Sequence, residues 1–393
     1  MTEITKTNAN TESRPKDDRR LNGLNEIPFE VLEAFYQFEH FIVLGHQKPD
    51  ADCATSQLAM SMALRRLGKS VQLVSAGPFL RPEIVEFADH FHSKIDREQI
   101  QQYGQDRTLA IIMDCSTTER TYFAQDLNDL SILIIDHHAS GEIDGDFCYC
   151  DPQAPSTSML VHNILLQLPL FLFQMAPQKY DGLMTDDLHG LLIDRKVANI
   201  LFLGFATDTG FFRFLKPDNA GDMLRMVSAL VDTKIDLQSI YQQMTGGKLR
   251  GTRRMLGLLL LRAGFLLDGR LCVSYGLCED KKFWEIESND SDSFYALSLA
   301  TQNCEVILLL DEAEEGLWNV GFRSLKQHDV GSIAAQFGGG GHKNAAGCRI
   351  EAPEPGRALE LLLAKLSTLP GLSIQHSEEV REYIASVPKF QMG

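Results

Sequence analysis

The stretch FIVLGHQKPDADCATSQLAM, residues 41–60, sets one imidazole and two carboxylates, His46, Asp50 and Asp52, within seven residues just past an apolar run. Three more clusters follow similar runs: TLAIIMDCSTTER carries Asp114, LSILIIDHHASGE carries Asp136, His137 and His138, and ANILFLGFATDTGFFR carries Asp208. Carboxylates outnumber imidazoles and no thiolate is among the expected ligands, so the set suits hard divalent ions such as Mn²⁺ or Mg²⁺ better than structural zinc. Carboxylates gathered in one place repel one another unless cations neutralise them. Two divalent ions about 3.5–4 Å apart are an arrangement suited to phosphoester hydrolysis, where they make the nucleophile and steady the charge of the in-line transition state.

These side chains need elements to position them. Each run is short and rich in Ile, Leu, Val or Phe, as in a strand buried on both faces, and helix-like segments lie between several of them. The pattern predicts the α/β fold class, with a doubly wound, mainly parallel sheet and ligands bound beyond the carboxyl ends of its strands. All four clusters fall there. Residues 171–196 read as helix plus loop, with TDDLHGLLID starting on a Thr185 cap. Beyond a helical, basic stretch at 217–262, the runs RLCVSYGL, CEVILLLDE and LWNVGFRS read as strands, and VGSIAAQF and RALELLLAKLS as helices. That predicts a second, smaller mixed α/β domain. The expected division is a disordered tail at 1–22, a catalytic domain at 23–230, a linker at 231–252, a substrate-binding domain at 253–370 and a C-terminal tail at 371–393.

Composition narrows the partners. The chain has 393 residues, enough for two domains. Its 37 Lys plus Arg against 53 Asp plus Glu give −16, which argues against attraction to long duplex nucleic acid or an anionic membrane. The apolar run LPLFLFQMAP is about half a membrane span and is bounded by prolines, and the polar N-terminus lacks the apolar core of a signal peptide. Eight cysteines show no paired CxxC spacing; CYC at 148–150 lacks a second pair to close a zinc site. Reduced thiols in the core of a cytoplasmic protein are expected.

HQKPDAD, DCSTTER, DHH and GFATDTGFFR resemble, in order, the four motifs of the DHH phosphoesterase family. GSIAAQFGGGGHKNAAG resembles the glycine-rich signature of the DHH-associated domain of the first type, so the match spans about residues 24–370. The resemblance implies that His46, Asp50 and Asp114 hold one metal, and that Asp52, Asp114, His137 and Asp208 hold another, with Asp114 bridging. It implies two divalent ions, manganese foremost, with His138 facing the scissile phosphate and Asp136 bracing the histidines from behind. Arg323, Gly338, Gly339, Gly340, Gly341 and His342 would grip a terminal phosphate and nucleotide, bare glycine backbone being able to approach an anion closely. Ser156 and Thr157 would add hydrogen bonds near the substrate. Ala51 departs from the glycine the family often has there, which would strain the chain if that position needed a positive φ.

Within the family, the chain is similar to the nano-RNase type, which cleaves very short oligoribonucleotides and dephosphorylates 3′-phosphoadenosine 5′-phosphate. The implied partner is a short oligonucleotide or small nucleotide, and a homodimer is an open arrangement. Cyclic di-AMP phosphodiesterases and a non-catalytic nucleotide sensor are the alternatives. Single-strand exonucleases of the family usually carry an extra barrel, and family II pyrophosphatases a different second domain. Weighed singly, DHH is most often a polar loop and a glycine run a flexible one; five ordered motifs reverse those odds. The basic GGKLRGTRR is most simply a solvated face. His162, His189, His328 and His376 lack such context and are expected on surfaces or helices.

Overall fold

The computed structural model describes residues 26–369 except 139–142, 181–183, 216, 219 and 326–327, together with 372 and 378–387. The expected N-terminal tail lies outside the described residues. Contacts divide the chain into two units, between Gly247 and Lys248.

The first unit is built on five parallel strands: β1 (His40–Gly45), β2 (Ser70–Leu73), β3 (Thr108–Met113), β4 (Ser131–Asp136) and β5 (Phe147–Cys150), in the order β2-β1-β3-β4-β5. β1 and β3 are buried along their whole length, which is why their sequences run apolar without alternation. Phe41, Val43 and Ile111 pack on the side of the long helices, while Ile42, Leu44 and Ile112 fill the other face. β2 and β5 have no strong signal in the sequence. The order reverses between β1 and β3, so the loops after these two strands diverge there, a crevice that suits a ligand.

Three helices pack together over the first face: Ala51–Arg66, Thr157–Met175 and Arg195–Asp208. The third corrects an expectation. ANILFLGFATDTGFFR was read as a fourth strand end, yet Asp208 closes a helix that Asp194 caps by accepting from Val197 N at 2.9 Å. An apolar run buried on nearly all sides has no period that separates strand from helix. Thr157–Met175 is long and apolar enough to cross a membrane, but 67% of its apolar window is buried inside the fold. The helix expected from a Thr185 cap instead begins at Thr185, and Asp187 accepts from Met184 N.

The second unit carries six strands: β6 (Gly264–Leu266), β7 (Leu271–Gly276), β8 (Val306–Glu314), β9 (Leu317–Ser324), β10 (Gly340–His342) and β11 (Ala345–Glu351). Their order is β10-β11-β9-β8-β7-β6, with only the β7–β8 pair parallel. Strict alternation of burial along β9 gives one face to Trp318, Val320 and Phe322 in the core. Two helices fall within the stretches expected to be linker and C-terminal tail. The stretch taken as a linker holds the helix Leu237–Thr245. The stretch taken as a C-terminal tail holds the helix Glu378–Ser386, whose Tyr383 hydroxyl donates to Arg262 O and Val273 O while Val380 and Val387 enter the core.

Candidate metal centre

His46 follows β1 directly, and the chain then turns into the helix Ala51–Arg66. Asp50 caps that helix by accepting from Cys53 N at 3.1 Å, which fixes its carboxylate in the loop mouth. Ala51 is the first helical residue and has no positive φ, so the departure from glycine carries no strain. Asp52, one residue on, is wholly buried. Its two oxygens accept from Thr157 N at 2.6 Å and Ser158 N at 2.9 Å, so the start of the Thr157–Met175 helix clamps it.

Asp114 follows β3 and adopts φ 63°, a left-handed conformation uncommon for a residue with a side chain. That turn aims its carboxylate at three histidines. Its Oδ2 lies 3.5 Å from His46 Nε2, and its Oδ1 lies 3.5 Å from His137 Nε2 and 3.8 Å from His138 Nδ1. Offering one oxygen to each side is what a bridging ligand must do. His46 Nδ1 faces Gln47 O at 2.8 Å and His137 Nδ1 faces Ala154 O at 3.4 Å. In a neutral ring, donation from Nδ1 to those carbonyls would leave each Nε2 lone pair free to meet a cation beside Asp114.

Asp208 reaches the same place from the end of its helix, with Oδ2 3.2 Å from His137 Nε2, and Asp52 Oδ2 is 4.0 Å from that nitrogen. Asp136 stands behind: its Oδ1 accepts from His138 Nδ1 at 2.7 Å and from His138 N at 3.1 Å. The structure thus brings together all eight residues of the four clusters.

The chemistry of this set fits divalent cations. Burial, and then the charge of Asp208, pushes the Asp52 carboxyl up to about 7, and burial with Asp52 and Asp50 drives Asp114 well above the usual carboxylate range. Burial works against a charged His137, but Asp208, Asp52 and Asp114 pull it up to about 10. His137 Nε2 is buried against Asp208 Oδ2 at 3.2 Å, without a well-aligned hydrogen bond among the described residues. These are groups that a bound cation would satisfy. Donor atoms converge in three sets: Asp114 with His137 and His138, Asp52 with His137 and Asp208, and His46 with Cys53 and Asp114. Cys53 was not anticipated. Burial drives its thiol far above the ordinary value, so it stays protonated and is a poor ligand for a hard ion beside Asp50.

Ser156 and Thr157 have other work than meeting substrate. Both are fully buried; Ser156 caps its helix by accepting from Met159 N, and the Thr157 hydroxyl donates to Asp114 Oδ1 at 2.9 Å. Thr157 therefore ties Asp52 to Asp114. Sequence reasoning also missed Gly204. A Cβ there would lie 2.1 Å from Ser158 Oγ, 2.3 Å from Thr55 Oγ1 and 2.9 Å from Asp52 Oδ1, so only glycine lets its helix pass this close. A glycine inside a helical pattern was the one available signal.

The remaining expected residues lie in the second unit. Ala345 on β11 pairs with His342 on β10 and with Arg323 on β9, so these three sit at one level and share a face. The Arg323 guanidinium stacks 4.4 Å from the centroid of the Tyr295 ring. Gly338 to Gly341 and His342 are all exposed. Of the four histidines expected on surfaces or helices, His162 is a buried helix residue, His189 lies on a helix, and His376 is outside the described residues. His328 is fully buried beside Glu305, at 2.9 Å, because that carboxylate gives its ring a partner.

Residues 40–205 match the N-terminal domain of the DHH family and residues 281–368 match the DHHA1 domain. The chain is 26% identical to a bifunctional oligoribonuclease and PAP phosphatase NrnA of Thermus thermophilus, over 82% of this chain and 87% of the relative. With the Bacillus subtilis protein of the same name it shares 22% identity over 86% of this chain and 97% of the relative. A cyclic-di-AMP phosphodiesterase GdpP of Geobacillus thermodenitrificans is 21% identical over 89% of this chain but only 50% of its own length. The fold is that of an exopolyphosphatase-related protein from Bacteroides fragilis, whose crystal structure superposes with a TM-score of 0.71 at 18% identity, over 91% of this chain and 96% of that one. The chain belongs to the DHH family, with the family's N-terminal domain in its first unit and a DHHA1 domain in its second.

Proposed function

We propose that the protein is a phosphoesterase of the nano-RNase type, hydrolysing short oligoribonucleotides to 5′-mononucleotides and 3′-phosphoadenosine 5′-phosphate to AMP. The observation that carries this reading is Asp114, whose two oxygens face histidines on either side. His46, Asp50 and Asp114 would hold one divalent ion and Asp52, Asp114, His137 and Asp208 the other. Two such ions, manganese foremost, would neutralise the phosphoryl oxygens and lower the pKa of the attacking water. The protein's own groups do the rest. Asp136 fixes the His138 ring through Nδ1, and His138, partly open to solvent, holds a proton for the departing oxygen. Arg323 and His342 take the terminal phosphate, and the exposed glycine backbone takes the nucleotide beside it.

A cytoplasmic location is part of the proposal, supported by eight free thiols. The likeness to the oligoribonuclease–phosphatases runs almost end to end along both partners, which favours them over the cyclic-dinucleotide enzyme, matched along half its length. Offering pApA, 3′-phosphoadenosine 5′-phosphate and cyclic di-AMP in separate reactions with Mn²⁺ tests this. AMP from the first two is expected. Turnover of cyclic di-AMP alone would replace the reading, and bound metal without any turnover would favour a sensor.

A further inference from the structure

β5 is an edge strand, paired among the described residues with β4 alone. Tyr149 turns into the first core, where its hydroxyl accepts from Asn163 Nδ2 at 2.7 Å. Side chains alternate along a strand, so Cys148 and Cys150 both emerge on the opposite face. Their sulfurs are 2.9 Å apart. Both are half-buried, whereas Cys53, Cys115, Cys272, Cys304 and Cys348 are buried.

The position of this pair matters as much as its geometry. Cys150 is in register with Asp136, the residue that braces His138 and whose Oδ2 is buried without a hydrogen-bond partner among the described residues. Directly after Cys150, Asp151 N donates to Asp136 O at 3.0 Å. The next few residues supply Ala154 O to His137 and the Ser156 cap of the helix that clamps Asp52 and Asp114. The end of β5 is therefore the mounting of half the metal centre.

We propose that Cys148 and Cys150 form a modification site, a dithiol that a hydroperoxide oxidises to an intrachain disulfide. The Cys148 thiolate attacks one peroxide oxygen; the O–O bond breaks and water or an alcohol leaves, so that sulfur becomes a sulfenic acid. The Cys150 sulfur then attacks it; the S–S bond forms, the S–O bond breaks, and water leaves with the Cys150 proton. Contact with Cys150 holds the Cys148 thiol below its ordinary value, which favours the attacking thiolate. Two residues of extended strand separate Cα atoms by about 6.6 Å, at the outer end of the roughly 4.4–6.8 Å that a disulfide spans. Closure draws the end of β5 inward against its register on Asp136. That coupling to the centre rests on the metal-site reading; the oxidation itself does not.

The test uses the full chain, treated with hydrogen peroxide, alkylated and digested with trypsin. Both thiols fall in one peptide, Thr121–Lys179, which holds no other cysteine. It should appear about 2 Da lighter than the reduced, unalkylated peptide, revert with dithiothreitol, and be absent from Cys148→Ser and Cys150→Ser, which keep basal hydrolysis of pApA. Two alkylated thiols after peroxide, or an endpoint at sulfinic acid, would overturn the dithiol. Calorimetry with Mn²⁺ on the oxidised, desalted protein should show affinity weakened by about tenfold, as when a supporting contact of a ligand is lost. A disulfide with unchanged Mn²⁺ affinity would overturn the coupling. An unoxidised protein that binds no Mn²⁺ would instead overturn the metal-site reading, leaving the mass shift to decide the dithiol.

Discussion

The two candidate sites are built in opposite ways. In the first unit Asp52 and Asp114 are buried, Asp114 sits in a left-handed turn, and each carboxylate accepts from the start of one helix. In the second, Gly338 through Asn344 are exposed and β10 is an edge strand of three residues. Buried charge without a counterion is tolerated only where the fold over-determines it, and that suits a centre loaded with cations before any substrate arrives. An exposed edge has unpaired backbone groups to offer and little energy stored in place, which suits a surface that gains order from the ligand itself. Metal binding and substrate binding should therefore respond to different mutations.

The largest break falls on Asp114. Asp114→Asn keeps the shape and removes the charge that both halves share. A loss on the order of 10³-fold in kcat is expected, together with loss of bound Mn²⁺ measured by elemental analysis of the purified protein. Full activity with normal metal content would show that Asp114 bridges nothing.

Metal removal sharpens the contrast through pH. Because burial and Asp208 raise the folded pKa of Asp52 to about 7, the metal-free folded state retains a proton that the unfolded chain loses near pH 4. Stability therefore falls as pH rises across that window. His137, raised to about 10 by Asp208, Asp52 and Asp114 against the opposing effect of burial, is stabilising below its unfolded value and loses that contribution as pH climbs. The signs agree. The thermal midpoint of metal-free protein should drop between about pH 5 and 9, and the gain from saturating Mn²⁺ should grow over the same range, since ligands bind deprotonated. An equal gain at both ends would count against carboxylates as the principal ligands.

Thr157→Val is the next smaller effect. It removes the hydroxyl that holds Asp114 but keeps the backbone N–H that holds Asp52. Mn²⁺ affinity should fall by roughly 10–100-fold, with KM for pApA unchanged at saturating metal, and Thr157→Ser should restore most of it. A raised KM with intact metal affinity would return Thr157 to the substrate contacts.

How much of this was legible in the sequence follows from the range over which each signal acts. β1, β3 and β4 and the acids and histidines at their ends are local: an apolar run, then a cluster. The role of Thr157 is not local, since its partners Asp114 and Asp52 stand 43 and 105 residues away. The Arg195–Asp208 helix was hidden because it is buried on nearly all sides and so lacks an amphipathic period. Asp208 still reaches the His137 ring, 3.2 Å away, because a helix end and a strand end can deliver a carboxylate to the same point. In the second unit, alternation along β9 made the sheet visible, but which of four consecutive glycines the fold itself requires could not be read from the run GGGG.

That distinction supplies the smallest and most selective test. Gly338 has φ 72° and Gly341 φ 140°, while a Cβ on Gly339 would meet Gly347 O at 2.1 Å. Gly340 has neither constraint: a Cβ there meets nothing within 4 Å. The fold does not need glycine at that position, so a methyl group in open space is felt only by something that comes close to the backbone. Gly340→Ala should leave the thermal midpoint and Mn²⁺ content unchanged and raise KM for pApA by about tenfold, roughly the 1.4 kcal/mol that such a factor represents. The Asp114 variant moves metal and turnover, and this one should move only KM. If KM stays put, the nucleotide does not reach this edge, and the exposure of Gly338 to Gly341 cannot be credited to substrate.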